Sequence, residues 1–193
     1  RHFWGGMSIP SPTSPLMRNP SPHVSGLGVS HLTGYQGRRD WSDAYESAVM
    51  NIVARYILRK GTITEDVTKG ADLKSVHKNI GVRVRAWECY DKYPGEFTLR
   101  TPGELNKVTS GNTDWFFYGY AHPQLPTKLG AWMLIDMHVF RDEMRVNDQI
   151  RSSYHSNRVA DGGFTAFDLR TFRVPDLIVG CSDNMVKRLG EWY

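Results

Sequence analysis

The chain has 193 residues, 40% hydrophobic and 23% charged, proportions that suit one globular domain able to bury its own core. Lys and Arg total 24 against 20 acidic residues, for a formal charge of +4, which permits nucleic-acid binding without demanding it. No apolar run approaches the roughly 20 residues of a membrane span and no signal peptide is visible, so no membrane partner is expected.

Cys89 and Cys181 lie far apart and form no metal spacing. They read as reduced thiols, as in the cytoplasm or inside a virion or other large assembly. Residue 1 is Arg and Met7 is a candidate start, so residues 1–6 carry no functional argument. Residues 7–28, "MSIPSPTSPLMRNPSPHVSGLG", are rich in Pro, Ser and Gly without helical or alternating period. They read as part of an extended N-terminal arm over 1–39, suited to binding a neighbouring protein.

The α/β domain is expected over 40–193. In "DWSDAYESAVMNIVARYILRKG" apolar residues fall at 45, 48, 49, 52, 53, 56 and 57, the period of an amphipathic helix, with Asp40 or Ser42 as cap and Gly61 as stop. Strand patterns follow at 62–67, 81–87 and 96–100, the last two joined by "YDKYPGE", which reads as a hairpin turn. A short helix is expected at 102–108. The runs 113–121 and 131–140 read as buried central strands. Residues 141–160 are ambiguous, 162–169 alternate as a late strand, and "SDNMVKRLGEWY" closes as a capped helix. The fold expected is a single domain with a mixed central sheet flanked by helices.

"GVRVRAWECY" at 81–90 raises the functional question. Side chains alternate along a strand, so Arg83 and Arg85 share one face. Two permanently charged guanidinium groups on one face need water, carboxylates or phosphates. By the same periodicities Thr98 and Arg100 share a strand face, and Glu104 and Lys107 a helix face.

Helix-Glu46, then Asp72 in "KGADLKS", then the strand "VRVRAW" and the apolar strand "DWFFYGYA" form an order that resembles the restriction-endonuclease-like, or PD-(D/E)XK, superfamily. The resemblance covers roughly residues 40 to 140, through short motifs. It implies a metal-dependent endonuclease, with carboxylates holding Mg²⁺ and a lysine positioning the attacking water. On this chain it implies Asp72 as metal ligand with help from Glu46, or from Glu104 in a rearranged site where Lys107 assists the water. Arg83, Arg85 and Arg100 would clamp the DNA or RNA backbone. The chain departs from the family where acid-x-Lys is replaced by Arg83-Val84-Arg85. Arginine cannot shuttle a proton at neutral pH. Either Glu104 and Lys107 have taken over the missing roles, or the site grips phosphate without cleaving it.

Other readings stand beside this one. Arg83 and Arg85 could pair with Glu96 or Asp91 across a hairpin, Asp72 could cap a turn, and Glu46 could be an ordinary helix residue. Trp115 or Tyr118 could stack bases while the other aromatics of their strand form core. His122 reads as a loop residue. Asp136 and Asp142 read either as a metal pair or as a strand-end cap with a bystander. No HExxH, phosphate-cradling loop or nucleophile elbow occurs. The rival functional class is a non-catalytic protein of a viral or other large assembly, binding neighbours through its arm.

Overall fold

The computed structural model describes residues 34–60, 62, 73–93, 95–156, 162–172 and 175–190. The expected strand at 62–67 (Thr62 aside), Asp72 and residues 7–28 of the arm therefore lie outside the described residues.

A four-stranded mixed sheet organises the fold in the order β3-β5-β6-β9. Its strands are β3 (Ile80–Arg85), β5 (Trp115–Ala121), β6 (Leu129–Asp136) and β9 (Ile178–Cys181). β3 and β5 run parallel, while β5–β6 and β6–β9 are antiparallel. Every residue of β5 is buried, as its unbroken apolar run requires of a strand covered on both faces.

Register sorts the side chains. Gly81, Arg83 and Arg85 lie on the face of Phe116, Tyr118 and Tyr120, while Ile80, Val82 and Val84 lie on that of Trp115 and Phe117. The second face packs against α1 (Gly34–Asp43) and α2 (Glu46–Ile57) through Tyr45, Val49 and Val53. The first packs on a three-stranded antiparallel sheet, order β4-β8-β7, built from β4 (Glu96–Thr101), β8 (Gly163–Asp168) and β7 (Ser152–Ser156). Phe97 of β4 joins the layers, its ring edge-on to Phe116 at 5.5 Å and to Tyr118 at 5.4 Å. Gly81 is needed there, because a Cβ on it would stand 2.6 Å from the buried Phe116 ring.

Three expectations need correction. The expected first helix starts only at Glu46, after a turn at Ala44–Tyr45, so neither Asp40 nor Ser42 caps it; both lie in a separate helix, α1, that begins at Gly34, inside the segment expected as extended arm, and Leu58–Lys60 leaves α2 as strand β1, paired with β2 (Leu73–Ser75). The hairpin over 81–100 does not form. α3 (Trp87–Lys92) intervenes and sends β3 and β4 into different sheets. Its Trp87 and Tyr90, three apart, pack on the core, so the supposed turn carried a helical spacing. Finally, the run 131–140 changes structure at Asp136, whose carboxylate accepts the His138 and Val139 amides and caps α5 (Met137–Val146). The cap reading of Asp136 thus holds, while Asp142 pairs with Arg145. The short helix is α4 (Gly103–Thr109) and the closing one α6 (Asp183–Gly190).

Candidate functional site

Among the described residues β3 is an edge strand of the mixed sheet, and β4 pairs with β8 on one side only. The Arg83–Arg85 face of β3 meets the other edge of β4 at Thr98. A buried backbone group on such an edge needs a partner from outside the sheet.

Arg83 and Glu104 provide it. Arg83 Nη1 donates to the Thr98 carbonyl at 3.1 Å and to Glu104 Oε2 at 3.1 Å. Glu104, in the first turn of α4, accepts the Arg100 backbone N–H through the same Oε2 at 2.9 Å. One ion pair thus serves a carbonyl and an amide of β4, as a neighbouring strand would. Arg83 and Glu104 are 15% and 23% exposed, so the pair is shielded but not dry. Burial outweighs Glu104 and moves the Arg83 pKa down, yet an arginine remains charged.

Arg85 is placed differently. Its Nη1 donates to Thr98 Oγ1 at 3.0 Å and to Tyr118 Oη at 3.3 Å, and its guanidinium lies over the Phe164 ring, 5.9 Å from the centroid. Thr98 Oγ1 and Tyr118 Oη also bond each other at 2.9 Å. Burial works against the Arg85 charge and the Tyr118 hydroxyl supports it, with a net upward shift. Among the described residues no carboxylate pairs with Arg85, and neither its Nε nor its Nη2 has a hydrogen-bond partner. The environment also holds the buried Tyr120 phenol well above its usual pKa, chiefly by desolvation.

The structure therefore brings Arg83, Arg85, Arg100 and Glu104 together, with Arg100 60% exposed at the rim, and Lys107 exposed further along α4. It does not bring Glu46 to them. That residue is exposed at the start of α2, which packs on the opposite face of the mixed sheet. Neither Glu96 nor Asp91 pairs with the two arginines; Asp91 approaches Arg188 instead. Trp115 and Tyr118 are both buried, so neither is an exposed stacking residue.

Among the described residues no three His, Cys, Asp or Glu side chains stand together as a metal-holding group. The carboxylate facing the arginine pair, Glu104, is already engaged by Arg83 and Arg100. A divalent cation there would also meet repulsion from the guanidinium groups. Asp72, the first metal ligand the resemblance implies, lies outside the described residues.

A second polar cluster joins α5 to the start of β5. His138 Nε2 meets Asp114 Oδ1 at 3.0 Å and Arg141 Nη2 donates to His138 Nδ1 at 2.9 Å. Asp114 Oδ2 accepts the Asn79 amide at 2.8 Å. That amide first, then His138, lowers the Asp114 pKa. With both imidazole nitrogens engaged, the cluster ties α5 to the mouth of β5 and leaves no lone pair for a general base. His122, as expected, serves its own loop, Nδ1 accepting the Gln124 and Leu125 amides.

No protein-family model matches this chain, and no curated protein or solved structure matches it. Among the described residues no helix is long and apolar enough to cross a membrane.

Proposed function

We propose that this chain binds the phosphate backbone of nucleic acid through its arginine strand, in a nuclease-like frame whose described residues favour binding over cleavage. Arg85 carries the reading. A largely buried guanidinium whose partners among the described residues are two hydroxyls and an aromatic ring, with no carboxylate, has donors left to offer an anion. Its Nε and Nη2 donors suit a phosphate, which accepts two parallel N–H bonds. Arg100 at the rim adds charge, and the resemblance of the segment order to nucleases favours a backbone phosphate over a small anion. Cleavage finds less support. Arginine is no general base, and Glu104 is held in an ion pair.

The test is fluorescence anisotropy with duplex DNA, single-stranded DNA and RNA across a salt series. Wild-type protein should bind with a log–log salt dependence, and Arg85→Gln should weaken binding and lower that slope by about 1. Absence of binding to every probe at low salt would overturn the proposal. A parallel incubation with Mg²⁺ or Mn²⁺ examines cleavage: cutting that Asp72→Ala abolishes would replace the binding-only reading with an active metal-dependent endonuclease.

A further inference from the structure

The outer sheet carries a feature that the arginine pair does not account for. Arg100 of β4 is registered opposite Phe164 of β8, and Phe164 opposite His155 of β7, so the three form one row across one face. The His155 ring lies 5.0 Å from Phe164, centroid to centroid, with 19° between the planes. His155 is exposed and Phe164 half-buried. Ser153 Oγ meets His155 Nε2 at 2.8 Å and orients the imidazole. The Arg85 guanidinium lies over the same Phe164 ring, 5.9 Å from its centroid. β7 itself is exposed along its whole length, so burial in the core does not explain why two flat rings stack at this edge.

We propose that the Arg100–Phe164–His155 row is a stacking platform for the bases of a single-stranded nucleic acid. This rests on the backbone-binding reading and narrows it to unpaired strands. Charge and shape complement such a ligand together: Arg85 and Arg100 meet its phosphates, and His155, the outermost ring, offers a π-surface to a base. Every base has such a face, so contacts of this kind are sequence-tolerant. Bases inside a duplex are stacked on each other and cannot reach the ring. The platform therefore separates single strands from duplexes where backbone contacts alone do not.

The experiment uses the full chain and three labelled probes: a mixed-sequence DNA strand, the same sequence as RNA, and the DNA duplex. His155 is exposed, so His155→Ala should fold. It should weaken single-strand binding roughly 5- to 150-fold, the range of one base–aromatic contact, with little change on duplex. His155→Phe, which keeps a flat ring, should restore single-strand binding. The DNA and RNA arms show which sugar is preferred, and either preference supports the platform. If wild-type protein binds duplex as tightly as single strands, or His155→Ala changes neither, the platform is overturned while the backbone reading stands. If no probe binds, both fall.

Discussion

Arg83 and Arg85 lie two residues apart on one strand face, yet they should respond in opposite ways to the same substitution. Replacing Arg83 by Met removes the donor to the Thr98 carbonyl and leaves Glu104 with Arg100 alone. Breaking a buried pair costs about 3–5 kcal/mol and an exposed one about 0–1. With exposures of 15% and 23%, the Arg83 pair belongs between, at about 2 kcal/mol. For a chain of this size that lowers Tm by about 4–8 °C. Replacing Arg85 by Met removes a charge with no carboxylate partner among the described residues, and the two hydroxyls it leaves are already bonded to each other at 2.9 Å. No buried polar group is orphaned and a desolvated charge is gone, so stability should stay within about 0.5 kcal/mol or rise. Affinity for nucleic acid should fall. Urea midpoints and anisotropy on the two variants make the comparison. If Arg85→Met destabilises as much as Arg83→Met, the fold itself compensates Arg85, and the case for an anion there collapses.

The ion pair should show coupling. Glu104→Gln alone should cost about 1 kcal/mol, and combined with Arg83→Met the total should fall short of the sum by about 1 kcal/mol in a double-mutant cycle of chemical denaturation; additivity would disprove the shared role at the β4 edge. Acid should destabilise the protein through Asp114 and Asp168. Burial raises the Asp168 pKa but Arg170 and Arg151 more than reverse it, and the Asn79 amide and His138 lower that of Asp114. Both folded values lie below the unfolded value of about 3.9, so their contribution is complete above that pH and is lost as pH falls through the folded values. Asp168→Asn should flatten the drop in urea midpoint below about pH 4; an unchanged profile would exclude Asp168 as a source. Deleting residues 7–28 should leave backbone binding intact, since the arginines lie in the domain, and a change of mass by light scattering would assign the arm to a protein neighbour.

Much of the frame was legible because it is written locally. Alternation marked β3 and β8, continuous apolar character marked β5, and three-residue spacing placed Glu104 and Lys107 together. The arginine pair was legible for the same reason. What occupies the space opposite was not, because it depends on β4 pairing on one side only among the described residues, a property of sheet order rather than of any window of sequence. α3 was hidden by the Pro-Gly pair just after it, which read as a hairpin turn although Trp87 and Tyr90 had helical spacing. β7 was hidden by its exposure. A strand that buries neither face has no apolar alternation to announce it, and His155 gained significance only through its register with Phe164.

The contact between β3 and α4 governs which charge position 83 can carry. Suppose Arg83 were the acid that the resembling family carries there. Its carboxylate would face that of Glu104, now 3.1 Å from the guanidinium, and the Thr98 carbonyl would lose its donor. Two like charges and an unpaired buried carbonyl would oppose folding unless a cation were held between them. With arginine in that place the requirement reverses: Glu104 is neutralised, the β4 edge is satisfied, and the charge left over belongs to Arg85. The fold thus meets its own need with Arg83, and Arg85 is the one that the proposed phosphate would engage. That division of labour ties the direction of charge at this face to the packing of β4, so that neither changes without the other.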